Sequence, residues 1–319
     1  MKVIRLFFVD FWKGFDYNDN FIVSALKDHY RIIYDSQNPE YLFYSLFGTK
    51  HFRYKDAVKI YFTGENDVPD FNLCDYGIGS SWINFGNRYF RFPLFAVSKN
   101  YDGLFTPMNT EQAAYLQRKF CNFVYSNAQV SDPVREKFFY RLSEYKKVDS
   151  GGKYLNNTGN PVSDKIDFIK DYKFTIAFEN SSLSGYTTEK LTDPMRVNSI
   201  PVYWGNPVVG KDFNTKSFIN LMDYQSMNEA IEEIIYLDNN DSAYLDKLSQ
   251  PWIEEEKKRD FGNELSVFLN QIVELPLSEA KQTPDYGYNY FYKKKQNIGN
   301  RLYNNNLLRP VLKMIMKSE

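Results

Sequence analysis

Between Phe174 and Trp204 the chain reads FTIAFENSSLSGYTTEKLTDPMRVNSIPVYW. The apolar run to Phe178 predicts a buried strand that ends at Glu179-Asn180. A loop through Gly185 follows, then a helix opening at Thr187-Thr188-Glu189-Lys190, then a second strand from Ile200 to Trp204. A strand, a glycine-containing loop and a helix start form a natural anion site. Free backbone N–H groups point out of the helix, and its dipole favours negative charge there. Lys190 adds a full positive charge close to that point. Glu189 adds a negative one, which suits a group that accepts ribose hydroxyls or faces a cationic transition state.

Other charged residues stand at the ends of predicted elements. Glu65 follows the strand Val58 to Thr63, in Thr63-Gly64-Glu65-Asn66-Asp67-Val68-Pro69-Asp70. α/β sheets hold ligands at the carboxyl ends of their strands, and Gly64 permits a tight turn that aims the carboxylate. Asp67 and Asp70 compete with it, and spacing alone fits a solvated acidic turn equally well. Arg135 lies in the first turn of a helix begun by Asp132-Pro133, where a guanidinium suits a phosphate. The alternative is a surface ion pair with Asp132. Arg88 and Arg91 alternate with aromatics, as on a strand bordering an acceptor or on a solvated edge.

The motifs Phe178-Glu179-Asn180, Gly185-Tyr186-Thr187-Thr188-Glu189-Lys190-Leu191 and Ile200-Pro201-Val202-Tyr203-Trp204-Gly205 resemble the donor-binding pattern of the α-1,3/α-1,4-fucosyltransferases, glycosyltransferase family 10. The resemblance runs from about Val58 to Asn220. It implies a GT-B fold, two Rossmann-like α/β domains facing a cleft. It also implies GDP-fucose as donor, Glu65 as general base and inversion at the anomeric carbon. Arg135, in Arg135-Glu136-Lys137-Phe138, and Lys190 would hold the diphosphate. Glu189 would sit near the donor sugar, and Asn180 and Tyr186 would contact the donor. Glu179 reads as structural. The implied acceptor is an N-acetyllactosamine-type glycan, Galβ1-4GlcNAc, giving a Lewis x-type product. No metal ion is required, and Mn²⁺ or Mg²⁺ would raise turnover only by helping GDP leave. Pro194 stands where relatives often have alanine, and a proline inside a helix kinks it.

The elements that must position these residues alternate along the chain. Helix-like spacing at Asp19–His29 lies among strand-like runs at Val3–Phe8, Tyr30–Tyr34, Tyr41–Leu46 and Val58–Thr63. After a break near Ser98–Thr106 the alternation restarts. It gives helices at Asn109–Lys119, Asp132–Tyr145 and Asp164–Asp171, and a strand at Asn122–Ser126. Beyond Trp204 come a strand at Ser217–Asn220 and a helix at Asn228–Leu237. Strands separated by helices predict parallel sheets. We expect an acceptor-side domain over 1–103, a nucleotide-sugar domain over 104–275 and a helical tail over 276–319.

The 319 residues exceed what one core usually serves. A net charge of −1 argues against nucleic acid as a partner. Aromatic content of 18% suits sugar stacking and equally suits AT-rich coding. Cys74 and Cys121 have no metal-ligand spacing and fit a reducing compartment. His29 and His51 are expected at ordinary surface or loop positions. The N-terminus reads as a strand and not as a membrane span. From Lys293 onward seven basic residues face one acidic residue. Leu302, Leu307, Leu308, Val311, Leu312, Ile315 and Met316 line one face, interrupted by Pro310. This tail is expected either to pack across the domains or to rest on an anionic membrane surface. The expected location is cytoplasmic, peripheral to the inner membrane in the second case.

Overall fold

The computed structural model describes residues 1–97, 101–105, 112–126, 131–303 and 308. The chain runs β1 (Lys2–Val9), α1 (Phe21–Leu26), β2 (Tyr30–Tyr34), β3 (Tyr41–Tyr44), β4 (Val58–Phe62), β5 (Tyr76–Gly79), β6 (Tyr89–Arg91), α2 (Leu94–Val97), α3 (Gln112–Leu116), β7 (Lys119–Phe123), α4 (Val134–Ser143) and β8 (Val148–Ser150). It continues with α5 (Lys165–Ile169), β9 (Tyr172–Phe178), α6 (Glu189–Arg196), β10 (Ile200–Trp204), β11 (Ile219–Asn220), α7 (Met227–Asn239), α8 (Asp241–Leu248), α9 (Phe261–Glu274), α10 (Leu277–Ala280) and α11 (Gly287–Tyr303). Two compact units result. The first comprises 1–79, 83–92 and 260–319, the second 80–82 and 93–259.

The first unit holds a six-stranded parallel sheet in the order β2-β1-β3-β4-β5-β6. Its inner strands are apolar on both faces, as a sheet covered on two sides requires. Tyr41–Tyr44 and Val58–Phe62 are buried along their whole length. Phe261–Glu274, expected in the second domain, belongs to this unit. Phe268 stacks on Phe90 with ring centroids 5.4 Å apart, and Ser266 Oγ donates to Ala25 O at 2.8 Å. Asp75 is fully buried and joins the C-terminal segment to the sheet. Its Oδ1 accepts from Thr283 N at 2.6 Å, and its Oδ2 accepts from Lys59 N at 2.7 Å. Within the tail, Lys293–Tyr303 completes α11, and the positions from Leu307 to Met316 lie outside the described residues apart from Leu308. No described helix is long and apolar enough to cross a membrane.

The second unit holds a five-stranded parallel sheet in the order β11-β10-β9-β7-β8. All of Tyr172–Phe178 is buried at its centre. The predicted helix over Asn109–Lys119 begins outside the described residues and ends earlier than expected. Its described part spans Gln112–Leu116, and Lys119 already belongs to β7.

His51 corrects the expectation of a surface histidine. It is 5% exposed, stacks on Tyr44 with centroids 4.2 Å apart, and its Nδ1 lies 2.8 Å from Asp10 Oδ2. A carboxylate only accepts, so Nδ1 carries the proton. Burial pushes the imidazole below its ordinary value, more than Asp10 raises it. Burial raises the Asp10 carboxyl, but hydrogen bonds from His51 and Lys50 outweigh this and hold it low. Both shifts act in one direction. The depressed histidine loses its contribution as pH falls below 6.5, its unfolded value, and the depressed aspartate loses its own below 3.8. His51→Gln should therefore lower the thermal midpoint near neutrality and flatten its fall as pH drops below 6.5. An unchanged fall in the variant would remove His51 as its source.

Candidate active site

The second sheet reverses its winding between β7 and β9. From β7 the chain moves outward to β8, then returns to place β9 on the other side and continues to β10 and β11. Ligands of open α/β sheets bind beyond the strand ends at such a switch point. Four charged groups gather there.

Glu179, the residue after β9, is fully buried. Its Oε1 accepts from Thr188 N at 2.8 Å, and both its oxygens lie within 3.0 Å of Thr188 Oγ1. Thr188 is also the N-cap of α6, its hydroxyl accepting from Lys190 N at 3.3 Å. Lys190 Nζ lies 3.3 Å from Glu179 Oε2 and 3.7 Å from Glu189 Oε1. Burial raises the Glu179 carboxyl against the pull of Lys190. Burial alone would lower Lys190, but Glu179 and Glu189 hold the ammonium above its ordinary range. Burial also raises Glu189, and Lys190 and Lys165 reverse this to a net lowering. The Glu189 side chain is 48% exposed, so it is the carboxylate of the group that reaches solvent.

Arg135 comes from the first turn of α4, across the switch point. It is 2% exposed and forms no surface pair with Asp132, whose carboxylate accepts from Val134 N instead. Its Nη2 donates to Phe178 O at 3.0 Å and to Asn180 Oδ1 at 2.9 Å. The guanidinium lies 4.0 Å above the Tyr125 ring. The buried Nε has no hydrogen-bond partner among the described residues. A guanidinium with a donor to spare, held by neutral groups, keeps its charge available for an anion. Tyr125 is fixed in turn, its hydroxyl bonding Ile176 O, Phe178 O and Phe178 N.

The loop between β9 and α6 is set by close approach. Gly185 has φ +91°, and a Cβ there would meet Ser80 O at 2.3 Å. Asn206 Oδ1 accepts from Gly185 N at 2.9 Å. Tyr186, expected to contact the donor, lies in the same loop and is 2% exposed.

Glu65 belongs to the first unit. It is exposed at the turn after β4, and its N–H donates to Thr63 Oγ1 at 3.1 Å. Its rivals are engaged. Asp67 Oδ2 accepts from Tyr61 OH at 2.5 Å, and Asp70 Oδ2 accepts from Tyr292 OH at 2.6 Å. The acceptor-side reading of two arginines is corrected. Arg88 is spent on Asp75 O at 2.7 Å and on Cys74 O and Phe71 O, clasping one turn. Arg91 is 7% exposed inside β6. Sequence reasoning gave Glu179 a structural reading without its central place, and missed the platform of Tyr125. The only signal for either was its place at a strand end.

Residues 6–98 match the α-(1,3)-fucosyltransferase FucT N-terminal domain, and residues 115–266 match the C-terminal part of glycosyltransferase family 10 (fucosyltransferase). The α-(1,3)-fucosyltransferase FucT of Helicobacter pylori is 33% identical over 73% of this chain and 56% of its own length. A putative fucosyltransferase of Acanthamoeba polyphaga mimivirus is 35% identical over 42% of this chain and 24% of its own. The chain thus spans about half, or less, of these curated relatives. A crystal structure of an α1,3-fucosyltransferase with GDP-fucose aligns at TM-score 0.74 with 28% identity, covering 86% of this chain and 92% of that one. Another α1,3-fucosyltransferase structure aligns at 0.78 with 27% identity, covering 90% and 93%.

Thr188→Val keeps the shape of the cap and the backbone bond to Glu179 but removes the bonds made by the hydroxyl. It should cost about 2–3 kcal/mol in denaturant unfolding, a lost cap plus an under-satisfied buried carboxylate. A loss below about 0.5 kcal/mol would show that the Thr188 hydroxyl does not hold Glu179. The two matched models and the α/β fold shared with solved fucosyltransferases place this chain in glycosyltransferase family 10, the fucosyltransferases, with a GT-B fold.

Proposed function

We propose that this chain transfers fucose from GDP-fucose to the N-acetylglucosamine of Galβ1-4GlcNAc-type acceptors. The linkage is α-1,3, formed with inversion, and the product is a Lewis x-type glycan. The observation that carries the reading is the pair of cations, Arg135 and Lys190, fixed at the switch point of the second sheet.

In this reading Arg135 and Lys190 stabilise the departing diphosphate, whose negative charge grows as the glycosidic bond breaks. Both are already oriented, so little reorganisation is needed at the moment of reaction. Asn180 acts by aiming Arg135. Glu189, the carboxylate open to solvent, takes the donor's ribose or sugar side and faces the oxocarbenium-like charge. Glu65 is the base that removes the acceptor hydroxyl's proton, and an exposed carboxylate at a strand end is placed for that. Mn²⁺ or Mg²⁺ would assist only by speeding GDP departure. We place the reaction in the cytoplasm, a setting that fits the buried free thiols of Cys74 and Cys121. A tail resting on an anionic membrane would bring it to the inner face.

A second reading keeps the donor and changes the acceptor to a polypeptide. The human GDP-fucose protein O-fucosyltransferase 3 is 29% identical over 47% of this chain, which favours keeping it in view.

GDP release from GDP-fucose, with and without N-acetyllactosamine, tests the proposal. Acceptor-dependent release supports it. Tight GDP binding without release keeps the donor site and moves the acceptor to the second reading, and an absence of GDP binding overturns both. Glu65→Gln should cut turnover by about 10²–10⁴-fold while leaving GDP affinity unchanged. Near-normal turnover would exclude Glu65 as the base.

A further inference from the structure

A lysine buried within an otherwise apolar strand needs a reason. Lys59 is the second residue of β4, and its side chain is 3% exposed. Its ammonium has no ion pair or hydrogen bond among the described residues. Burial pushes it down to about 8, and Lys281 and Lys293 push the same way, while Asp285 and Asp75 pull weakly upward. The charge is therefore held at a cost. That cost is fully present below about pH 8 and is relieved as pH rises from there toward 10.5.

Lys59 lines a cavity of about 210 Å³ together with Phe52, Lys55, Tyr290, Lys294 and Asn297. Two further lining residues pair with each other, Lys293 Nζ lying 2.7 Å from Asp285 Oδ1. Lys55 and Lys294 have no carboxylate partner among the described residues. Lys294 sits 5.9 Å from the Tyr290 ring centroid. Asn297 Oδ1 is buried without a hydrogen-bond partner. Turning the amide over would present its donors there instead, since the two ends are assigned from hydrogen bonding alone. One cavity thus collects three unpaired ammonium groups, an unsatisfied amide and two aromatic walls.

We propose that this cavity is a binding site for a phosphate monoester, separate from the transferase chemistry. Four lysines against one carboxylate call for more than a single negative charge, and a phosphate monoester carries about −1.5 to −2 at neutral pH. Lysines bind phosphate as point charges from several sides. Phe52 and Tyr290 give the attached organic group an apolar surface. The cavity is smaller than the roughly 300–1,000 Å³ of pockets for drug-sized ligands, so it takes a phosphate with a small group and not a nucleotide. Lys59 lies near the start of β4 and Glu65 beyond its end, so the cavity opens at the opposite edge of the sheet from the proposed base. Its ligand is therefore not the acceptor. The phosphate comes either from a small soluble monoester or from a lipid headgroup.

The experiment titrates the full chain with inorganic phosphate while saturating GDP occupies the donor site. We expect one saturable phosphate site beyond GDP, with a rise in thermal midpoint. Lys59→Met should weaken it at least about tenfold, the loss of one desolvated charge-assisted contact. The double variant Lys55→Glu/Lys294→Glu changes only exposed residues and should abolish binding with GDP affinity unchanged. A parallel arm uses phosphatidylcholine vesicles with and without phosphatidic acid. Lys59-dependent vesicle binding that requires phosphatidic acid assigns the lipid source, and binding of free phosphate alone assigns the soluble one. If neither probe binds, or if both variants bind as the parent does, the proposal falls. Failure of fucosyl transfer would leave these readouts untouched.

Discussion

Glu179 is a carboxylate placed where no water reaches it, and the second unit is organised around satisfying it. An unpaired buried carboxylate would be strongly destabilising. Thr188 supplies a backbone and a hydroxyl donor, and Lys190 supplies the countercharge. These contacts pin the start of α6 to the end of β9 and so fix the position of Lys190. They also explain the neighbours. A Cβ at Gly205 would come within 2.5 Å of Glu179 Cγ, so the residue that follows β10 must pass without a side chain. The network costs desolvation and returns geometry, a cation that needs no search for its position.

The two sheets use their switch points differently. In the second, the crevice between β7 and β9 is bordered by Tyr125, Arg135, Glu179 and Asn180, and part of their capacity stays open. In the first, the order reverses between β1 and β3, and the residue there, Asp10, is consumed locally. Its carboxylate accepts from Lys50 N and His51 N, and it lies against His51. That carboxylate closes a turn. The exposed carboxylate, Glu65, stands one strand further along, after β4. Equal topology therefore gives unequal chemistry, and the hydrogen-bond inventory decides which end remains available.

This difference shows what could be read from residues alone. The β9–α6–β10 run was legible because apolar strands, a positive-φ glycine and a threonine cap are local signals, and each falls where its pattern put it. Glu179 looked structural, and it is, but its burial comes from the strand packing around it and has no local mark. Arg88 and Arg91 alternate with aromatics as an exposed edge would. Their partners are backbone carbonyls of a turn more than ten positions away for Arg88, and a packed sheet for Arg91. His51 and the placement of α9 failed for the same reason, since both depend on contacts distant in sequence. The strand β5, with two glycines in four residues, carries too little side chain to show a period.

Pro194 shows how a broken local rule can leave a helix start intact. It sits sixth in an eight-residue helix that ends two residues later at Arg196. The N–H that proline lacks would have met Lys190 O, so this helix gives up one of its own bonds, but it stops before the kink could redirect it. Its last carbonyls are met nearby, Pro194 O accepting from Val197 N at 3.1 Å and from Ser199 N at 3.0 Å. The field of a helix dipole acts within its first turn, and that turn holds Glu189 and Lys190. A helix whose task is to present one N-terminus needs little length. The proline fixes where it ends, and β10 can then start at Ile200, in register with Phe174 on β9.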